Sequence, residues 1–112
     1  MPERTYPARL VRVVDGDTLD LEVDLGFRVW ARQRFRLVGL DCPEARTPAG
    51  DLATAFTTHW LDEHAQGLEV ESQREDVYAR WLGVVRCGGE NLNAALVAAG
   101  HAEPKIYRAP LA

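Results

Sequence analysis

Leu10-Val11-Arg12-Val13-Val14-Asp15-Gly16-Asp17-Thr18-Leu19-Asp20-Leu21-Glu22-Val23 is the stretch that decides the fold. A short apolar run stands before the turn signal Asp15-Gly16, and after it Leu19, Leu21 and Val23 alternate with acidic side chains. A period of two is what a half-buried strand requires, because successive side chains point to opposite faces. Residues 8–14 and 18–25 are therefore predicted to be the two arms of a β-hairpin. Outward from it, Gly26 permits another turn, and Phe27 to Leu40 is predicted as a third, longer strand ending at Asp41, ahead of Pro43. In that strand arginines alternate with Val29, Ala31 and Phe35. Pro43, Pro48 and Gly50 make residues 42–50 a loop, and Asp51 is the predicted cap of a helix over 52–65. Leu52, Phe56 and Trp60, with Ala53 and Leu61 beside them, form its apolar stripe. Strands over 67–72 and 81–87, a Gly88-Gly89 turn and a second helix over 91–99, stopped by Gly100, complete the order β-β-β-α-β-β-α.

Three strands, a helix and two further strands match a five-stranded, partly open OB-fold barrel, with the helix between strands 3 and 4 and a second helix after strand 5. The expected class is all-β with inserted helices, α+β by content; a split α+β sheet would produce a similar string. At 112 residues and 46% hydrophobic composition, the chain is expected to be one domain over 1–112 with a single core.

The formal charge of -4 counts against a uniformly basic, nucleic-acid-coating protein. Charge is uneven, however: Arg28, Arg32, Arg34 and Arg36 fall close together, whereas residues 57–112 carry five basic and eight acidic side chains. Lys105 is the only lysine against twelve arginines, which fits either genomic bias or a preference for bidentate phosphate contacts. Cys42 and Cys87 lack the paired spacings of a disulfide framework or a zinc site and are read as reduced thiols. No stretch is long and apolar enough for a membrane span or a signal segment, so a cytoplasmic monomer is the default; a secreted chain already trimmed of its signal peptide reads the same way.

The candidate chemistry lies where strands end. Asp17 follows the first turn and Asp41 closes the third strand, so a barrel that joins those ends sets two carboxylates at one mouth. Calcium and magnesium prefer such oxygen donors, and the Cys42 carbonyl is a third. Taken singly, Asp15, Asp17 and Asp41 also suit turns beside Gly and Pro. Glu44, stiffened by Pro43, is the candidate general base for an attacking water; alone it is equally a surface Glu in a polar loop. Arg36 and Arg80 are candidate phosphate clamps, since a planar guanidinium fork binds two phosphate oxygens at once; alone, each is a solvated strand residue. Tyr78 is placed either as a hydroxyl donor to phosphate or as a strand-edge residue covering the core. His59, His64 and His101 share no ligand spacing, and Trp30, Trp60 and Trp81 are read as packing.

Val14-Asp15-Gly16-Asp17-Thr18, Phe35-Arg36-Leu37 running to Asp41-Cys42-Pro43-Glu44, Asp76-Val77-Tyr78-Ala79-Arg80, and Asn93-Ala94-Ala95-Leu96-Val97 with Gly100 occur in this order. Through them the chain resembles the staphylococcal nuclease-like (thermonuclease) family over about residues 8 to 102. The resemblance implies an OB-fold, Ca²⁺ held by Asp17, Asp41 and the Cys42 carbonyl, phosphate binding by Arg36 and Arg80, and Glu44 as the activating carboxylate. It further implies cleavage of DNA or RNA to 3′-phosphate and 5′-hydroxyl ends; a single-stranded or flexible substrate is expected, because such a strand can bend a phosphate into a concave site. Cys42 stands where the family often has Thr, and Val77 where some members have Lys. Tyr107 is the candidate for the aromatic that stacks on a base. A catalytically silent OB module that binds nucleic acid or protein through the same mouth is the alternative.

Overall fold

The computed structural model describes residues 4–75 and 80–105. Its elements in chain order are β1 (Arg4–Asp15), β2 (Thr18–Asp24), β3 (Trp30–Leu37), β4 (Leu40–Asp41), α1 (Pro48–Glu63), β5 (Leu68–Glu75), β6 (Trp81–Cys87), β7 (Glu90–Asn91), α2 (Leu92–Ala98) and β8 (Glu103–Pro104). Strands β3, β2, β1, β5 and β6 are antiparallel neighbours in that order, and a parallel pairing of β3 with β6 joins Phe35, Arg36 and Leu37 to Trp81, Leu82 and Gly83. The result is the expected five-stranded OB-fold, closed rather than partly open, with α1 between strands 3 and 4 of the barrel and α2 after the fifth. Closure leaves the barrel without free edges. β7 pairs antiparallel with the end of β6, and β4 pairs with β8 in a small separate ladder.

Alternation in β2 works as the sequence dictates: Leu19, Leu21 and Val23 are buried while Asp20, Glu22 and Asp24 stay partly accessible. β1 is longer than expected because it serves two neighbours, pairing with β5 through Arg4 to Pro7 and with β2 through Ala8 to Asp15. Register shifts between Leu10 and Arg12 and between Val13 and Asp15 bend it from one partner to the other. Leu19, Leu21, Phe35, Leu37, Val70 and Val85 fill the barrel, and Leu92, Leu96, Trp60 and Leu61 cover it from the helices.

Several expectations are corrected. The third strand does not run from 27 to 40: Phe27 and Arg28 adopt left-handed backbone in the β2–β3 turn, and Gly39, with φ +87°, separates β3 from β4. The cap of α1 is Thr47 rather than Asp51, because Thr47 Oγ1 accepts the Gly50 N–H at 3.0 Å and Pro48, which has no N–H to satisfy, opens the first turn. Asp51 falls instead in that first turn, where its charge suits the helix N-terminus. The buried stripe of α1 is Gly50, Ala53, Thr57, Trp60 and Leu61, with Leu52 rotated to 61% exposure.

The arginine-rich stretch of β3 faces acids across the sheet. Register sets Arg34 opposite Asp20 and Arg32 opposite Glu22, and Arg34 Nε lies 2.8 Å from Asp20 Oδ1. Trp30 is not packed inside: it is exposed, with the Arg9 guanidinium 4.0 Å above its ring. Among the described residues no helix is long and apolar enough to cross a membrane.

Candidate functional site at the barrel mouth

The β1–β2 turn is seated against α1. Thr57, fully buried on the helix, donates its hydroxyl to the Gly16 carbonyl at 2.7 Å. Only glycine fits there, since a Cβ on residue 16 would lie 2.8 Å from Ala53 Cβ and 3.0 Å from Cys42 Sγ. The turn therefore delivers Asp17, only 8% exposed, in a fixed position. The Asp17 carbonyl accepts from Leu37 N at 2.8 Å, tying the turn to the end of β3.

Thr18, Arg36 and the Cys42 backbone meet the Asp17 carboxylate. Its Oδ2 accepts the Cys42 N–H at 3.1 Å, its Oδ1 accepts the Thr18 hydroxyl at 3.2 Å, and Arg36 Nη1 pairs with Oδ2. The other terminal nitrogen of Arg36 pairs with Asp41 Oδ1, so one guanidinium bridges both carboxylates that the sequence singled out. Lys105 Nζ reaches Asp41 Oδ2 at 3.2 Å, and β8 brings it there through Lys105 N donating to the Gly39 carbonyl at 2.8 Å.

Burial pushes the Asp17 pKa up, but hydrogen bonds from Asp15, Arg36 and the Cys42 N–H outweigh it and hold the carboxyl below its ordinary range. Asp15 moves the other way: burial, then the shared hydrogen bond and charge of Asp17, raise it. The two carboxyls thus divide labour, Asp15 keeping a proton longer and Asp17 remaining ionised. Burial, reinforced by the charges of Asp17 and Asp15, pushes the Cys42 thiol up to about 12. It stays a protonated, soft sulfur, unsuited to a hard cation.

Glu44 is exposed, and its backbone is fixed by the helix cap: its carbonyl accepts the Thr47 hydroxyl at 2.7 Å. Gly50 passes so close that a Cβ on it would stand 1.9 Å from the Glu44 oxygen. Arg80 directly precedes β6 and lies two residues before Leu82, the register partner of Arg36. Tyr78 and Tyr107 lie outside the described residues. The structure thus brings together Asp17, Arg36, Asp41 and the Cys42 backbone.

Sequence reasoning missed Lys105, Thr57 and Asn93. Asn93, buried at the start of α2, donates to the Val38 carbonyl at 2.9 Å and the Gly83 carbonyl at 3.1 Å, and accepts from Val85 N at 3.1 Å. It locks the β3–β4 turn, which leads to Asp41, onto β6. A polar residue at a helix position otherwise facing the core was the signal for both Thr57 and Asn93; nothing in the sequence marked Lys105.

A cation suits this donor set. Asp17 and Asp41 already share one positive group, and both offer hard oxygens. Among the described residues no three His, Cys, Asp or Glu side chains form a metal cage by themselves, so main-chain oxygen, water or substrate would have to complete the shell.

Residues 34–110 match the family model described as staphylococcal nuclease homologue. The chain is 35% identical over 102 residues to a thermonuclease of Staphylococcus intermedius, covering 86% of this chain and 58% of that protein. It is 34% identical over 108 residues to Protein ParB of Escherichia coli, covering 83% and 54%, and 30% identical over 104 residues to an uncharacterised protein of Bacillus anthracis, covering 87% and 46%. The chain spans about half the length of these relatives. By its fold, its mouth and this match, the chain belongs to the family of staphylococcal nuclease homologues.

Proposed function

We propose that this chain is a calcium-dependent nuclease that hydrolyses phosphodiester bonds of DNA and/or RNA, single-stranded or flexible, to 3′-phosphate and 5′-hydroxyl ends. The convergence of Asp17 and Asp41 on the Arg36 guanidinium carries the proposal, because it sets two carboxylates and a phosphate-type fork at one mouth. Asp17, Asp41 and the Cys42 carbonyl hold Ca²⁺, which when bound supplies Lewis-acid polarisation of a phosphate oxygen. Arg36 and Arg80 neutralise the charge that grows on the phosphoryl oxygens. Glu44 takes the proton of the water as its oxygen bonds to phosphorus, the bond from phosphorus to the 5′ oxygen breaks, and that oxygen takes a proton from solvent to leave as the 5′-hydroxyl. Tyr78 is assigned to phosphate contact through its hydroxyl, and Tyr107 to base contact by the family resemblance. The likeness to a thermonuclease supports the reaction class.

The test is incubation of pure protein with heat-denatured DNA in CaCl₂ or in EGTA, followed by release of acid-soluble fragments and analysis of their ends. Calcium-dependent release of 3′-phosphate fragments is expected. Equal degradation in EGTA overturns the metal assignment, and no degradation in either condition favours a silent binding module.

A further inference from the structure

The end of the barrel away from Asp17 carries a second set of features. There the first residues of β1, the end of β2, the start of β3, the end of β5 and the start of β6 leave a cavity of about 360 Å³. That volume lies within the ~300–1,000 Å³ of small-ligand sites. Tyr6, Phe35 and Trp81 give it aromatic walls, and Arg4, Gln33 and Gln73 contribute polar groups. Trp81 Nε1 donates to Gln33 Oε1 at 3.3 Å, which fixes the indole, and Gln73 Nε2 donates to Glu71 at 3.3 Å. Among the described residues the Gln33 amide nitrogen and the Gln73 amide oxygen then lack a partner. A donor and an acceptor at the edge of an aromatic cavity match a nucleobase, which has apolar faces and a mixed polar edge.

Leu25 belongs both to this cavity and to the β2–β3 turn beyond it. Phe27 at the tip is fully exposed, with Val29 and Trp30 exposed beside it. Phe27 and Arg28 have φ of 57° and 63°, a backbone conformation that disfavours bulky L-residues. Folding thus gains nothing from an aromatic side chain at this tip, whereas a partner that stacks on it does. Among the described residues Arg4 and Arg28 have no ion-pair partner, so the end combines π-faces with unneutralised cations.

We propose that this end of the barrel is a second contact for single-stranded nucleic acid, seating one unstacked base among Tyr6, Phe35 and Trp81, with neighbouring phosphates on Arg4 and Arg28. The proposal rests on the nucleic-acid substrate assigned above. From Trp30 to Arg36 a strand covers ~20 Å. A nucleic acid crossing that distance stays within the ~4–16 nucleotides that an OB-fold engages. An anionic membrane would also meet an exposed Phe and arginines, but it has no use for a recessed cavity with a donor and an acceptor at its edge.

The test is fluorescence anisotropy of a short labelled oligothymidylate in EDTA, where no cleavage is expected. Ala31→Phe, which fills the cavity from its wall, and the double variant Arg4→Ala/Arg28→Ala should each weaken binding by roughly tenfold. The arginine pair should also flatten the salt dependence by about one contact per residue removed. Cleavage of a dinucleotide-length substrate, too short to reach both ends, should stay at the wild-type level. Unchanged oligonucleotide affinity in both variants overturns the proposal, and so does Phe27-dependent binding to phosphatidylserine vesicles with none to oligonucleotide. If Ala31→Phe fails to fold, the surface arginine pair decides. Wild-type binding with the expected dependence but no cleavage of any substrate upholds this contact while removing the nuclease assignment.

Discussion

Replacing Asn93 separates its role as a hydrogen-bonding bolt from simple packing. In the native chain it donates to the Val38 and Gly83 carbonyls and accepts from Val85 N, all between 2.9 and 3.1 Å. The Gly83 carbonyl also accepts from Val38 N at 3.0 Å, so Asn93→Ala orphans chiefly the Val85 N–H and the Val38 carbonyl. At about 1–2 kcal/mol for each buried unsatisfied group, the expected loss is ~2–4 kcal/mol, or roughly 8–17 °C in Tm for a domain of this size. Asn93→Asp is the sharper probe. A carboxylate still accepts from Val85 N but carries no proton for either carbonyl, so it should be worse than Ala at neutral pH. Burial beside two carbonyl oxygens raises its folded-state pKa above the ordinary ~3.9. A group shifted that way contributes stability below its unfolded pKa and loses it as pH rises through the folded one. The deficit of Asn93→Asp relative to wild type should therefore shrink between pH 7 and 5, while that of Asn93→Ala stays flat. Urea denaturation followed by tryptophan fluorescence measures both. A loss below about 1 kcal/mol for Asn93→Ala, or a pH-independent deficit for Asn93→Asp, would refute the bolt.

Two further outcomes follow from contacts at the mouth. The Cys42 thiol, pushed up to about 12 chiefly by burial, should resist iodoacetamide in the native protein at mildly alkaline pH and be alkylated once urea unfolds the chain; rapid native labelling of Cys42, mapped by peptide mass, would contradict its environment. Gly16→Ala forces a Cβ to 2.8 Å from Ala53 Cβ and should cost about 1–3 kcal/mol. Pairing it with Ala53→Gly should cost less than the sum of the two single changes, and strict additivity would mean that the turn moves instead of pressing on α1.

The barrel was legible because its signals are local. Leu19, Leu21 and Val23 declare a strand, Gly100 stops α2 with φ +81°, and the Gly88-Gly89 turn follows β6 as expected. What stayed hidden depended on partners distant in sequence. Thr47 outcompetes Asp51 as cap because Pro48 suits the first turn, and Leu52 turns outward because the helix presents Thr57 to the Gly16 carbonyl. The arginines of β3 looked like a basic stripe until register set Arg34 against Asp20. Trp30 looked like core until Arg9 was found stacked on an exposed ring. At the mouth, Asp17, Arg36 and Asp41 were individually ambiguous as turn and strand residues, and only the closing of β1, β2 and β3 made them one cluster.

That cluster has an internal logic on the proposed function. Arg36 is largely buried, and its terminal nitrogens face Asp17 and Asp41, so the fork assigned to substrate phosphate is engaged by the carboxylates assigned to calcium. Removing either carboxylate would leave a mostly buried guanidinium partly uncompensated, which is costly. Replacing the guanidinium's charge between them with another cation would not, because Asp17 and Asp41 would keep a positive neighbour while Arg36 turned to an anion. Lys105, at 3.2 Å from Asp41, offers the same exchange on the other oxygen. Cation and phosphate would then each raise the affinity of the site for the other by the same factor, as linkage requires. On that function Arg36 would be a stand-in for the cation: it keeps two carboxylates together, with Asp17 held ionised below its ordinary range, until the cation takes its place and a phosphate becomes its partner.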